Sequence, residues 1–119
     1  MNVQECYEAI GGNYQEVLGR LRDDTRILKF LSLFLNDPSY DLLVNSIAKD
    51  NAEEAFRAAH TIKGVCLNLS LTRLFRSSNE LTEALRGKSE VSGEAKKLVE
   101  KVKEDYLVTV DYIRKLKNA

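Results

Sequence analysis

Apolar positions recur every three or four residues along almost the whole chain, the spacing of one face of an α-helix. Neither alternating apolar and polar runs nor an Asn-Gly hairpin signal is present, so strands are not expected. The pattern predicts a short helix over Val3 to Ile10 that stops at Gly11-Gly12, and a second from Tyr14 to Leu21. Asp23 or Asp24 can cap a third reaching Leu35, which Asn36-Asp37-Pro38 ends. Its core, Ile27 to Leu35, is the longest apolar-rich stretch and reads as a buried helix. Ser39 can cap a fourth helix carrying Tyr40, Leu43, Val44 and Ile47. Asp50 or Asn51 can cap a long fifth from Ala52 to Leu69. Leu71, Leu74, Phe75, Ser78, Leu81 and Leu85 mark a sixth that closes near Arg86-Gly87, followed by a polar loop to Gly93. From Ala95 to Leu116 one apolar face persists along a single long helix.

Helices with short connections in a chain of 119 residues form one domain. The expected fold is all-α: an antiparallel up-down four-helix bundle over residues 20–117, with short additional N-terminal helices over 1–20 capping one end. Residues 1–119 are read as a single unit.

Composition narrows the function classes. Apolar residues make up 44% and charged residues 30%. That is a globular balance. Lys plus Arg and Asp plus Glu are 18 each, so the chain has no electrostatic reason to seek nucleic acid or an anionic membrane. No apolar run approaches the roughly 18 residues of a membrane span. Cys6 and Cys66 are far apart, without a CxxC pattern or a secretory leader. This points to a reducing cytoplasm and not to a disulfide or zinc framework.

One histidine, His60, remains as candidate chemistry, in the segment Ala-Ala-His-Thr-Ile-Lys-Gly. Successive helix positions turn by about 100°. With His60 at zero, Ala55, Ala58, Ile62, Val65, Cys66 and Leu69 lie within roughly 60° of the opposite side, the core stripe. Glu53, Phe56, Arg57, Lys63, Gly64 and Leu67 share the His60 side. The imidazole therefore points away from the core, beside a cation and a glycine and between two bulky apolar residues. Gly64, which costs about 1 kcal/mol inside a helix, either clears space over the ring or packs closely on a neighbouring helix. Lys63 can pair with a phosphate on the ring. A single histidine cannot fill a metal site, Cys66 faces away from it, and no phosphate loop follows a strand. What is left is the imidazole as a nucleophile at neutral pH.

At these residues the chain resembles histidine-containing phosphotransfer (HPt) domains, whose pattern reads His-x-Leu-Lys-Gly-small-small-x-Asn-Leu. Here the segment is His60-Thr-Ile-Lys-Gly-Val-Cys-Leu-Asn-Leu. Phe34-Leu-Asn-Asp and Asp50-Asn-Ala-Glu-Glu-Ala-Phe before it, and Leu74, Leu81, Leu85 and Arg86-Gly87 after it, extend the likeness over roughly residues 20–115.

The resemblance implies an exposed His60 phosphorylated on a ring nitrogen, typically Nε2, with Lys63 near the phosphate and Gly64 opening access. It implies a phosphocarrier without its own kinase domain, exchanging with an aspartate of a response-regulator receiver domain or with a sensor or hybrid histidine kinase. It implies no cofactor bound by this chain, with Mg2+ expected in the partner receiver domain. Phe56, Arg57, Leu67 and Asn68 are the expected partner-binding set, on a monomer whose His60 face stays free. Val65-Cys66 replaces the usual Ser/Ala pair, and Ser70-Leu71 stands where many members carry a glycine, which is expected to reshape the helix end. A reading from another class is a helical adaptor that binds through the Phe56/Leu67 face without phosphorylation.

Overall fold

The computed structural model describes residues 1–118. Over these the chain is all-helical, with seven helices: α1 (Val3–Ile10), α2 (Tyr14–Leu21), α3 (Asp24–Leu35), α4 (Ser39–Ala48), α5 (Ala52–Asn68), α6 (Thr72–Leu85) and α7 (Gly93–Lys117). Local chemistry explains most of the boundaries. Asn2, Asn13, Asp23, Asn51 and Ser92 each accept the amide three residues on. Each bond satisfies an orphan donor at a helix start. Gly11 ends α1 in the left-handed region at φ 70°, the usual place for a glycine after a helix.

At α4 the expected cap is corrected. Ser39 is the first helical residue, Pro38 holds the N-cap position, and the Ser39 amide donates to Asp37 Oδ1 at 2.8 Å. Proline has no N–H to satisfy, so the aspartate before it serves the helix start.

Short connections make α4, α5, α6 and α7 antiparallel neighbours. Helix α5 packs between α4 and α6, and α6 against α7. Aromatic contacts close the remaining side. Tyr40 of α4 stacks on Tyr106 of α7 with centroids 3.7 Å apart, and Phe34 of α3 lies 5.8 Å from the same ring. The 25-residue α7 runs most of the molecule's 42 Å long axis.

The N-terminal helices share the same core. Val3, Cys6, Tyr7, Ile10 and Val17 are buried in one cluster with Ala58, Ile62, Leu74 and Ile113. Cys6 and Cys66 are free and buried. Burial pushes the Cys6 thiol up to about 11 and raises Cys66 as well, because the thiolate loses its hydration.

The expectation that α3 is buried is also corrected. Ile27, Leu31 and Phe34 are buried, but Phe30 and Leu33 are 41% and 56% exposed. A run apolar on more than one face offers more surface than one bundle contact can cover.

Candidate functional site

The site is built on α5. Ala52, Ala55, Ala58 and Ala59 are buried along its inner side, where small side chains let α4 and α6 approach closely, and Ile62 and Cys66 continue the stripe. His60 is exposed on the other side, with Lys63 and Gly64 half-buried. A Cβ added at Gly64 would meet nothing within 4 Å. Close packing within the domain therefore does not require this glycine; the space above it is open. Arg57 is held back along the helix, its guanidinium donating to Glu53 at 2.7 Å and to Glu54 at 3.0 Å.

Helix α6 flanks one side of the histidine. The Phe56 ring lies 5.8 Å from the imidazole at 39°, and the guanidinium carbon of Arg86 sits 5.0 Å from the Phe56 centroid. Phe56 is half-buried and packs against the core. Arg86 is in turn fixed to Glu83 by two hydrogen bonds of 3.0 Å, Nε to Oε2 and Nη2 to Oε1. Those bonds hold the Glu83 carboxyl below its ordinary range, and the charges of Lys63 and His60 act in the same direction. Sequence reasoning used Arg86 as a helix-end signal and as part of the family likeness, not as a neighbour of His60, and passed over Glu83. Both lie on a neighbouring helix, beyond the reach of α5 periodicity.

On its other flank α5 meets α2 and α3 across a groove of about 390 Å³. Leu21, Phe30, Leu33, Phe34, Val65 and Leu69 line it, with Arg20, Asp37 and Asn68. Leu67, 52% exposed, lies outside this groove and lines a smaller cleft of about 230 Å³ with Asn13, Glu16 and Phe75. Of the two apolar residues singled out from helical phase, Leu67 is the open one. The larger apolar surface comes from Phe30 and Leu33 of α3, whose only sequence signal was an apolar run too broad for one face. Val65, placed among the core stripe by phase, is half-buried and lines this groove.

The C-terminal end of α5 is tied down. Arg20 of α2 donates to the Leu67 carbonyl at 2.9 Å, the Asn68 carbonyl at 2.6 Å and Ser70 Oγ at 3.2 Å. A cation on the last carbonyls of a helix matches its dipole. Ser70 takes the left-handed conformation at φ 54°, where glycine is usual, and its hydroxyl donates to Glu16 at 2.6 Å. The departure at Ser70 thus keeps the glycine-like backbone and adds side-chain bonds. Tyr7 Oη donates to the Leu69 carbonyl at 2.8 Å, and the Asn13 amide to the Ser70 carbonyl at 2.9 Å.

The arrangement gives a nucleophilic imidazole on a fixed helix, a cation one turn away, an unobstructed approach and an apolar groove alongside. Among the described residues no group of three or more His, Cys, Asp or Glu is placed to hold a metal ion, and no helix is long and apolar enough to cross a membrane. A cavity of about 620 Å³ between α6 and α7 includes Glu83 but not His60. The family model described as "Hpt domain" matches residues 15–109. No curated protein and no solved structure matches the chain.

Proposed function

The chain belongs to the Hpt domain family, and on that premise we propose that His60 is the phosphoacceptor through which it exchanges a phosphoryl group with the aspartate of a receiver domain. Hpt domains act in phosphotransfer within two-component phosphorelays, lack kinase activity of their own, and interact with receiver domains and histidine kinases.

The observation that carries the assignment is the exposed imidazole beside open space at Gly64. In the exchange the lone pair of Nε2 attacks the phosphorus of the receiver's acyl phosphate. The N–P bond forms, the P–O bond to the aspartate breaks, and the carboxylate leaves. The proton on Nδ1 passes to solvent, and the reverse sequence returns the group. Lys63 neutralises part of the charge on the phosphoryl oxygens. Mg2+ is supplied by the receiver, as are the groups that align the displacement. The receiver docks over Leu67 and Asn68 and into the α2–α3–α5 groove, where Phe30 and Leu33 supply apolar contact and Arg20 and Asp37 polar edges. Arg57 and Phe56 border the same face.

Incubation with a phosphorylated cognate receiver is expected to label the wild-type chain with acid-labile, alkali-stable phosphate and to leave His60→Gln unlabelled. Equal labelling of both proteins overturns the assignment. A chain that binds receivers but never takes label is the adaptor instead.

A further inference from the structure

We propose that the Glu83–Arg86 pair on α6 sets the lifetime of the phosphoryl group on His60: Arg86 leaves Glu83 and becomes, with Lys63, a second cation on the phosphoryl oxygens. The inference rests on His60 as the acceptor.

Arg86 and His60 lie against one aromatic ring, the guanidinium carbon 5.0 Å and the imidazole centroid 5.8 Å from the Phe56 centroid. Arg86 spends two of its N–H groups on Glu83, leaving the rest of its planar fork for another acceptor. Its position is set by the end of α6. Arg86 is the C-cap with an extended backbone, and Gly87 follows in the left-handed region at φ 69°. The side chains of Arg86 and Glu83 are 52% and 53% exposed, so re-pairing needs only rotation in solvent. Solvent-exposed ion pairs are weak, whereas a phosphoryl dianion offers Arg86 more charge and a matching bidentate geometry.

Glu83 is the counterweight. The charges of Lys63 and His60 reach its carboxylate. Before phosphorylation it occupies Arg86. Afterwards a carboxylate near the dianion favours protonation of the ring, and the protonated phosphoimidazole is the species that hydrolyses. There a water oxygen bonds to phosphorus, the N–P bond breaks with its electron pair returning to nitrogen, and the water's proton goes to solvent. The products are inorganic phosphate and neutral histidine. Arg86 opposes that protonation, and Glu83 promotes it.

The two partners of one ion pair should therefore have opposite effects, which loss of a merely structural contact would not give. The test charges the full chain from a phosphorylated receiver or from phosphoramidate, removes the donor, and follows loss of phosphohistidine by 31P NMR. Arg86→Gln is expected to shorten the half-life about threefold or more, and Glu83→Gln to lengthen it about twofold. Arg86→Lys should keep most of the wild-type lifetime, and thermal melts check that each variant is folded. Equal half-lives across the series overturn the proposal, as does a shift of both neutralising variants in one direction. A wild-type chain that takes no phosphate from either donor fails earlier, at His60 itself, and both readings fall.

Discussion

Gly12 and Gly64 mark two ends of a contrast. A Cβ at Gly12 would lie 2.7 Å from the Tyr7 ring and 3.0 Å from the Ser70 carbonyl oxygen. At Gly64 it would meet nothing within 4 Å. The first glycine is needed by the fold, where the α1–α2 turn is pressed against the end of α5. The second has no role in packing and gives up helix propensity beside the one histidine. The two regions belong together: a surface that must stay bare for a partner gains fixed geometry only if its helix is held elsewhere. Here Tyr7, Arg20, Glu16 and the Asn13 amide hold α5 at its C-terminus.

Substitutions at the held end should act on stability and those at the open face on transfer. The largest effect is expected from Tyr7→Ala, which empties a fully buried aromatic site and should cost about 3–5 kcal/mol in denaturant unfolding. Cys6 and Cys66 are buried with raised thiol pKa, so they should resist iodoacetamide in the wild type and become modifiable in that variant. If the variant unfolds at the wild-type denaturant concentration, the N-terminal helices are not part of the core. Next, Gly12→Ala should destabilise by about 1–3 kcal/mol through overpacking against Tyr7 and the Ser70 carbonyl.

Gly64→Ala should do the reverse, raising stability by up to about 1 kcal/mol while slowing phosphoryl transfer. A stable variant that transfers at the wild-type rate would show that the open space is incidental. The smallest change is expected at Ser70→Gly. Relief of the left-handed serine backbone opposes loss of its bonds to Glu16 and Arg20. These opposing effects should leave a net shift within about 0.5 kcal/mol in the same unfolding assay.

Helix order and most boundaries could be read from the sequence because their determinants are local. Gly11, Asp23 and Asn51 act within one turn of their own helices. The outward aim of His60 followed from helical rotation alone. The surroundings of His60 depend on tertiary neighbours, which local pattern does not carry. Phe30 and Leu33 were hidden in a run that looked like core, because periodicity cannot tell how many faces of α3 find partners. Glu83 and Arg86 were missed because their relation to His60 arises only when α6 folds back along α5. Ser39 was misassigned as a cap because the proline before it moved the amide's acceptor to Asp37.

The central claim is that α5 presents His60 as the acceptor. It is tested most directly by locating the phosphate: transfer from a phosphorylated receiver, digestion at alkaline pH, and mass mapping of the peptides. The expected result is one phosphoryl group, acid-labile, on the peptide containing His60. A phosphoryl group that survives acid on a serine, threonine or tyrosine peptide, or none on the His60 peptide under conditions that discharge the receiver, would contradict it.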